Sequence, residues 1–124
     1  MIVALHHASF LTGDLSRARA FYEHVLGLRP NDKRPAMNFD GVWYDIAPNQ
    51  QIHLMSLPNP EAGLVRPEHG GRDRHIALAV DDLNELAQRL LQHGIPFTPS
   101  HSGRRALFCR DPDGNALEFI EATT

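Results

Sequence analysis

The chain repeats itself once, and that constrains its fold more than any other feature. His7-Ala8-Ser9-Phe10-Leu11-Thr12-Gly13-Asp14-Leu15 opens a segment that closes on Gly27-Leu28-Arg29-Pro30. His75-Ile76-Ala77-Leu78-Ala79-Val80-Asp81-Asp82-Leu83 opens another that closes on Gly94-Ile95-Pro96. His to Asp is seven residues in both (14 − 7 and 82 − 75), and the copies are offset by 68 (75 − 7). A period that long, present twice, marks a duplicated module and not a solenoid. In 124 residues the two copies fill one domain and leave no room for a second.

Each copy reads as a strand, a helix and further strands. The helix from Leu83 has apolar residues at 83, 86, 87, 90 and 91, the stripe of a helix with one buried face. Asp81 or Asp82 is placed to cap it and Gly94 to end it. The helix from Leu15 has a looser stripe (Leu15, Ala18, Phe21, Tyr22, Val25, Leu26), with Asp14 as cap and Gly27 as stop. Extended runs follow at 28–34, 37–47 and 51–57 in the first copy, and at 95–99, 104–110 and 116–122 in the second. Pro48-Asn49, Ser102-Gly103 and Asp111-Pro112-Asp113-Gly114 supply the turns. The expected class is α+β: two β-α-β-β-β modules forming a curved mixed sheet within a single domain over 1–124. Module one covers about 1–57 and module two about 74–122, with 58–73 as a linker or mobile flap. A module of this size is marginal alone, so the two are expected to pack together or to swap with a second chain.

Charge and composition exclude several functions. A net charge of −3 gives no basic footprint for nucleic acid and no polybasic membrane patch. No apolar run is long enough to span a membrane, and MIVALHHASFL, without a basic start, reads as no signal peptide. The single cysteine, Cys109, precludes an intramolecular disulfide and suits a reducing cytoplasm, where it is expected to be an inert buried thiol.

The eight histidines are the one compositional hint of chemistry. His7 and His75 fall on the first strand of each copy, His53 and Glu118 on the last, with offsets of 68 (75 − 7) and 65 (118 − 53). Apolar neighbours facing the helices turn all four to the opposite face of the sheet, where they can converge. A single histidine in a strand is usually just hydrogen-bonded, and Glu118 alone reads as the wet side of an amphipathic strand. It is the symmetry-matched set of three histidines and one glutamate that raises a metal site.

These residues resemble a known family. The opening His7-to-Asp14-Leu15, the helix end Ala20-Phe21-Tyr22-Glu23-His24-Val25-Leu26-Gly27, His75 before Asp82, and Asp111-Pro112-Asp113-Gly114-Asn115-Ala116-Leu117-Glu118 are similar to the glyoxalase / bleomycin resistance / dioxygenase group. The group is also called the vicinal oxygen chelate superfamily, and the likeness runs through both modules. It implies a glyoxalase-like fold and one divalent metal ion on His7, His53, His75 and Glu118. Such an imidazole-rich set suits Fe, Ni, Zn, Co or Mn.

With His53 as fourth ligand, two positions stay open for a substrate that chelates through neighbouring oxygens. That implies lyase or isomerase chemistry of the glyoxalase I type through a metal-stabilised enediolate, with Glu118 and His53 as catalytic groups. Without His53, the remaining His7, His75 and Glu118 form the set of Fe(II) oxygenases, and His53 becomes an acid or base beside a catechol. An extradiol-type ring-cleaving dioxygenase is therefore the second reading, and a non-catalytic drug- or metabolite-binding protein the third.

Leu11 and Leu57 stand where polar residues for glutathione are expected, so a small, partly apolar substrate is favoured. Phe39, Trp43, Tyr44, Met55 and Phe108 are candidates for its pocket, and Arg104 and Arg105 either anchor a substrate carboxylate or are solvated. His6 is expected to point away from His7, and His24, His69, His93 and His101 to be solvated, with His69 or His101 placed to close over the pocket. A small-molecule substrate and a homodimer are the expected partners.

Overall fold

In a computed structural model that describes residues 1–122, the repeat becomes two sheets, one in each of the units Met1–Ala62 and Gly63–Thr124. The first unit runs β1 (His7–Thr12), α1 (Leu15–Ala20), β2 (Gly41–Ala47) and β3 (Gln50–Ser56). Its strand order is β1-β3-β2, with β1 parallel and β2 antiparallel to β3. The second runs β4 (His75–Val80), α2 (Leu83–Gln92), β5 (Phe97–Pro99), β6 (Ala106–Arg110) and β7 (Ala116–Glu121). Its order is β4-β7-β6-β5, with β4 parallel to β7 and the rest antiparallel. Two mixed sheets with few helices make the chain α+β.

The helix signals in the sequence act where they were expected. Asp14 accepts from the Arg17 amide at 3.1 Å and Asp82 from the Glu85 amide at 3.0 Å, each satisfying an orphan donor of the first turn. Gly27 and Gly94 take φ of 77° and 67°, the left-handed stop that costs glycine least. The first helix is not regular, however. After Ala20 it widens into a π-turn, Phe21–Val25, where the Leu26 amide donates to the Phe21 carbonyl at 3.1 Å. Phe21, Tyr22 and Val25, all within this wider turn, are buried in the core. On α2 the buried stripe is narrower than the pattern: Leu83, Leu86 and Leu90 are buried and Leu91 is exposed.

The second unit has the expected β-α-β-β-β order, whereas the first lacks a strand at 28–34. There only one bridge forms, Pro30 to Tyr44. Pro30 has no N–H for a ladder, and Asn31 turns the chain by accepting from the Lys33 amide at 2.8 Å, an Asx-turn that competes with extended pairing.

Each sheet gives one face to its helix. In the first unit Val42, Tyr44, Ile52 and Leu54 are buried with Ala18, Phe21, Tyr22 and Val25, and the Tyr22 and Tyr44 rings stack at 5.8 Å. In the second, Leu107, Cys109, Leu117 and Phe119 are buried with Leu83, Leu86 and Leu90. Each such side chain contributes roughly 1.5–3 kcal/mol by leaving water. The alternation of strands then turns the intervening residues to the other face. No helix among the described residues is long and apolar enough to cross a membrane.

Candidate functional site

The registers put the four histidine and glutamate candidates at equivalent places. Ser9 pairs with His53 in the first sheet and Ala77 with Glu118 in the second. In each case the last-strand residue stands opposite the position two beyond the first-strand histidine, so both members of a pair share a face.

In the first unit the pair is aromatic. The His7 and His53 rings stack at 4.1 Å, and Trp43, the antiparallel partner of His53, stacks on it at 4.4 Å. His53 is only 8% exposed. Gln51 explains its orientation: the Gln51 amide nitrogen donates to Asp45 at 2.9 Å, so its oxygen faces His53 Nε2 at 2.8 Å. That assigns the His53 proton to Nε2 and leaves Nδ1 as a lone pair. Burial first, then the neighbouring His7 and His6, push the His53 pKa down to about 4. A neutral imidazole is the form that binds a metal.

In the second unit the pair is ionic. His75 Nδ1 lies 2.8 Å from the Asp73 carbonyl, which can only accept, so the proton sits on Nδ1 and Nε2 presents a lone pair. That lone pair faces Glu118 Oε1 at 3.2 Å. Glu118 is 3% exposed, and its other oxygen accepts from Arg104 Nη2 at 3.2 Å. Phe108, the antiparallel partner of Glu118, sets its edge against His75 with ring centres 5.2 Å apart. Two acceptors this close need a cation between them, a proton or a metal ion. The backbone-held Nδ1–H is the arrangement that fixes the ring of a metal-ligating histidine. Among the described residues no group of three or more His, Cys, Asp or Glu is arranged to hold a metal ion; the first unit brings His7 and His53 together, the second His75 and Glu118.

The other candidates divide. Trp43 and Met55 lie on the His53 face of the first sheet, and Phe108 on the Glu118 face of the second. Phe39 precedes β2 and lies under the Arg34 guanidinium, 5.4 Å from its ring centre. Tyr44 is a correction: it faces the helix, fully buried, and donates to Glu23 at 2.8 Å, because it sits one residue out of phase with Trp43. His6 is another, since its Nδ1 meets His7 Nδ1 at 2.8 Å. The strand starts only at His7, so pleat alternation does not reach His6.

His24 and His93 are exposed on helix ends. His69 and His101 meet edge to face at 4.5 Å and line a cavity with His75 and Glu118. Cys109 is buried, its thiol pushed up to about 12 by burial and by the Asp111 charge. Gln51, Asp45 and the Asp73 carbonyl were not foreseen. Two-residue spacing from His53 and His75 is the signal that marks Gln51 and Asp73.

Residues 4–119 match the sequence profile of the Glyoxalase/Bleomycin resistance protein/Dioxygenase superfamily, and the chain belongs to that superfamily. It is 31% identical over 125 residues to lactoylglutathione lyase of Salmonella typhimurium, covering 95% of this chain and 92% of that one. It is also 31% identical over 121 residues to catechol-2,3-dioxygenase of Bacillus subtilis, across 91% of this chain and 39% of the other. In fold it resembles a glyoxylase/bleomycin resistance protein/dioxygenase domain from Frankia sp. EAN1pec. That likeness has a TM-score of 0.76 at 21% identity, covering 99% of this chain and 100% of that one.

Proposed function

We propose that the chain is a metal-dependent enzyme in which His7, His53, His75 and Glu118 are the ligands of one divalent ion, within a single glyoxalase-like domain. The observation that carries this reading is the facing pair His75 Nε2 and Glu118 Oε1, two acceptors 3.2 Å apart with the His75 proton committed to a backbone carbonyl. The donor set fits such an ion: His53 is held neutral, His75 is oriented from behind, and Glu118 brings the one negative charge. Three imidazoles and a carboxylate suit Fe, Ni, Zn, Co or Mn and not Mg or Ca.

Lyase or isomerase chemistry is the reaction we favour, on a small substrate bearing neighbouring oxygens. A bound ion would supply Lewis-acid stabilisation of charge on those oxygens. The chain's own groups do the rest. Glu118 is the carboxylate that accepts a proton from carbon and returns it, and Arg104 orients its outer oxygen. Trp43, stacked on His53, and Phe108, edge-on to His75, shield each pair from water within its own unit. Leu11, on the His7 face, and Met55 favour an apolar substrate body over glutathione.

The catechol dioxygenase relative and the neutral, ring-stacked His53 support one second reading, an Fe(II) extradiol dioxygenase with the unliganded His53 Nδ1 as base. The same reading of the chain takes it to be cytoplasmic, in keeping with its buried free thiol, and homodimeric.

The test is elemental analysis of untagged protein, purified without added metal or chelator, beside His53→Ala. About one equivalent of Ni, Zn, Co or Mn per site, lowered in the variant, is the expected result. About one equivalent of iron, retained in the variant, with oxygen uptake on a catechol, makes the enzyme a dioxygenase. Protein that holds no metal and takes none up overturns both and leaves a ligand-binding module.

A further inference from the structure

The second unit contains a cavity of about 300 Å³ between the 3₁₀ turn Gly70–Arg72 and the hairpin that precedes β6. We propose that it is a carboxylate-binding subsite, so that the substrate is a small organic acid with an apolar body. This rests on the reading of His75 and Glu118 as half of a metal site, because both line the same cavity.

The walls are rich in donors. Arg72 and Arg104 bring two guanidiniums, and the Arg72 side chain has no hydrogen-bond or ion-pair partner among the described residues. The one carboxylate on the walls, Glu118, already has both oxygens engaged, by His75 and by Arg104. His69 accepts from the Gly71 amide at Nδ1, at 2.9 Å, so its Nε2 carries the proton in the neutral ring and is a further donor. Arg104, pinned, and Arg72, exposed and unpartnered, stand against one carboxylate on these walls, and that positive balance favours an anion.

Arg104 is built into place. Its Nε donates to Ser102 Oγ at 3.2 Å, and Ser102 Oγ is in turn 2.7 Å from Ser100 Oγ. With Nε on the hairpin and Nη2 on Glu118, the Nη1 donors have no partner among the described residues. Arg105, next in sequence, goes elsewhere, pairing with Glu121 and Asn84. Arg110 is spent on Asp73 and two backbone carbonyls. The bend before β6 thus sends two adjacent arginines to different partners, Arg104 to Glu118 and the cavity and Arg105 to Glu121.

The shape argues for a carboxylate. A pinned, planar guanidinium matches a planar pair of oxygens. The volume is at the small end of ligand sites, and Phe108 gives it one apolar wall. Gly71 lets the turn lie close against two rings: a Cβ there would lie 3.0 Å from the His69 ring and 3.1 Å from the Phe108 ring, so a side chain would have to displace one of them by a few tenths of an ångström.

The test is titration of the full chain with phenylacetate and with its neutral isostere phenylacetamide, followed by calorimetry and by amide NMR shifts. It is run on protein as purified and again after chelator dialysis. The acid is expected to bind about tenfold more tightly than the amide in both, with shifts at Gly71, Ser102 and Phe108. Arg72→Ala and Arg104→Lys should each erase most of that preference, the lysine keeping a positive charge beside Glu118 so that the fold is preserved. Equal binding of acid and amide, an unchanged preference in both variants, or shifts confined to residues outside the cavity would overturn the subsite. Acid preference in a protein that takes up no metal keeps the subsite and removes the metal reading. One equivalent of metal without acid preference does the reverse.

Discussion

The two units use one backbone plan for opposite electrostatics. Register pairs them position by position: His7 with His75, His53 with Glu118, Trp43 with Phe108, Gln51 with Ala116 and Asp45 with Arg110. In the first unit the pair stacks with Trp43, and the Asp45–Gln51 relay orients a neutral His53. In the second the pair is a histidine and a carboxylate with an arginine on its far oxygen. Ala116 leaves nothing to orient Glu118 from its own strand, and the hairpin supplies Arg104 instead. The lesson is that a duplicated sheet gives two positions of equal geometry, and the side chains beside them decide whether each is a soft neutral donor or a charged one.

The comparison can be broken or sharpened by substitution. The largest effects should fall on the shared scaffold. Ile52→Ala and Leu117→Ala sit at equivalent, fully buried positions, and each should cost about 2–5 kcal/mol in denaturant unfolding. A loss at only one of them would show that the two cores do not carry equal weight. Glu118→Gln keeps the shape and removes the only carboxylate of the ligand set. Metal affinity measured by calorimetry should fall about a hundredfold, on the order of 2.7 kcal/mol.

A pH series reads the first unit alone. His53 titrates near 6.5 unfolded and near 4 folded, so as pH falls through that window the unfolded chain takes up its proton first. Stability is therefore full above about pH 6.5 and is lost towards pH 4, by up to about 3 kcal/mol in metal-free protein. His53→Phe should flatten that slope, and an unchanged slope would mean that His53 is as wet as an ordinary histidine. Gln51→Leu should weaken metal binding about tenfold while leaving the melting temperature near wild type. Tyr44→Phe, which removes the bond to Glu23, should cost about 1 kcal/mol and leave metal binding alone.

The repeat made the fold legible, because a His-to-Asp spacing and a helix stop recur at fixed offsets. The departures come from local chemistry that periodicity does not see. Pro30 and Asn31 break the extended run expected at 28–34, and the first helix ends in a π-turn that its apolar stripe does not announce. The candidate ligands were legible as positions, since strand alternation and the matched offsets select His7, His53, His75 and Glu118. Their partners were not. Tyr44 was misplaced by one residue of phase, and the destinations of Arg104 and Arg105 depend on which way a hairpin residue faces its strand. Gln51 was within reach, two residues from His53, but only the contact with Asp45 gives its amide a direction.

The parallel pairing of first and last strands has a consequence for how the molecule comes into being. His75 and Glu118 are 43 residues apart in the chain, and His7 and His53 are 46 apart (53 − 7). Neither pair can meet until the last strand of its unit has joined the first, and contacts of such long range pay their loop-closure entropy before they return any stabilisation. Each pair is therefore expected to form late in the folding of its own half. On the ligand set proposed above, a growing polypeptide can complete the His7–His53 pair once β3 has formed, whereas the set lacks Glu118 until the last strand, β7, is in place.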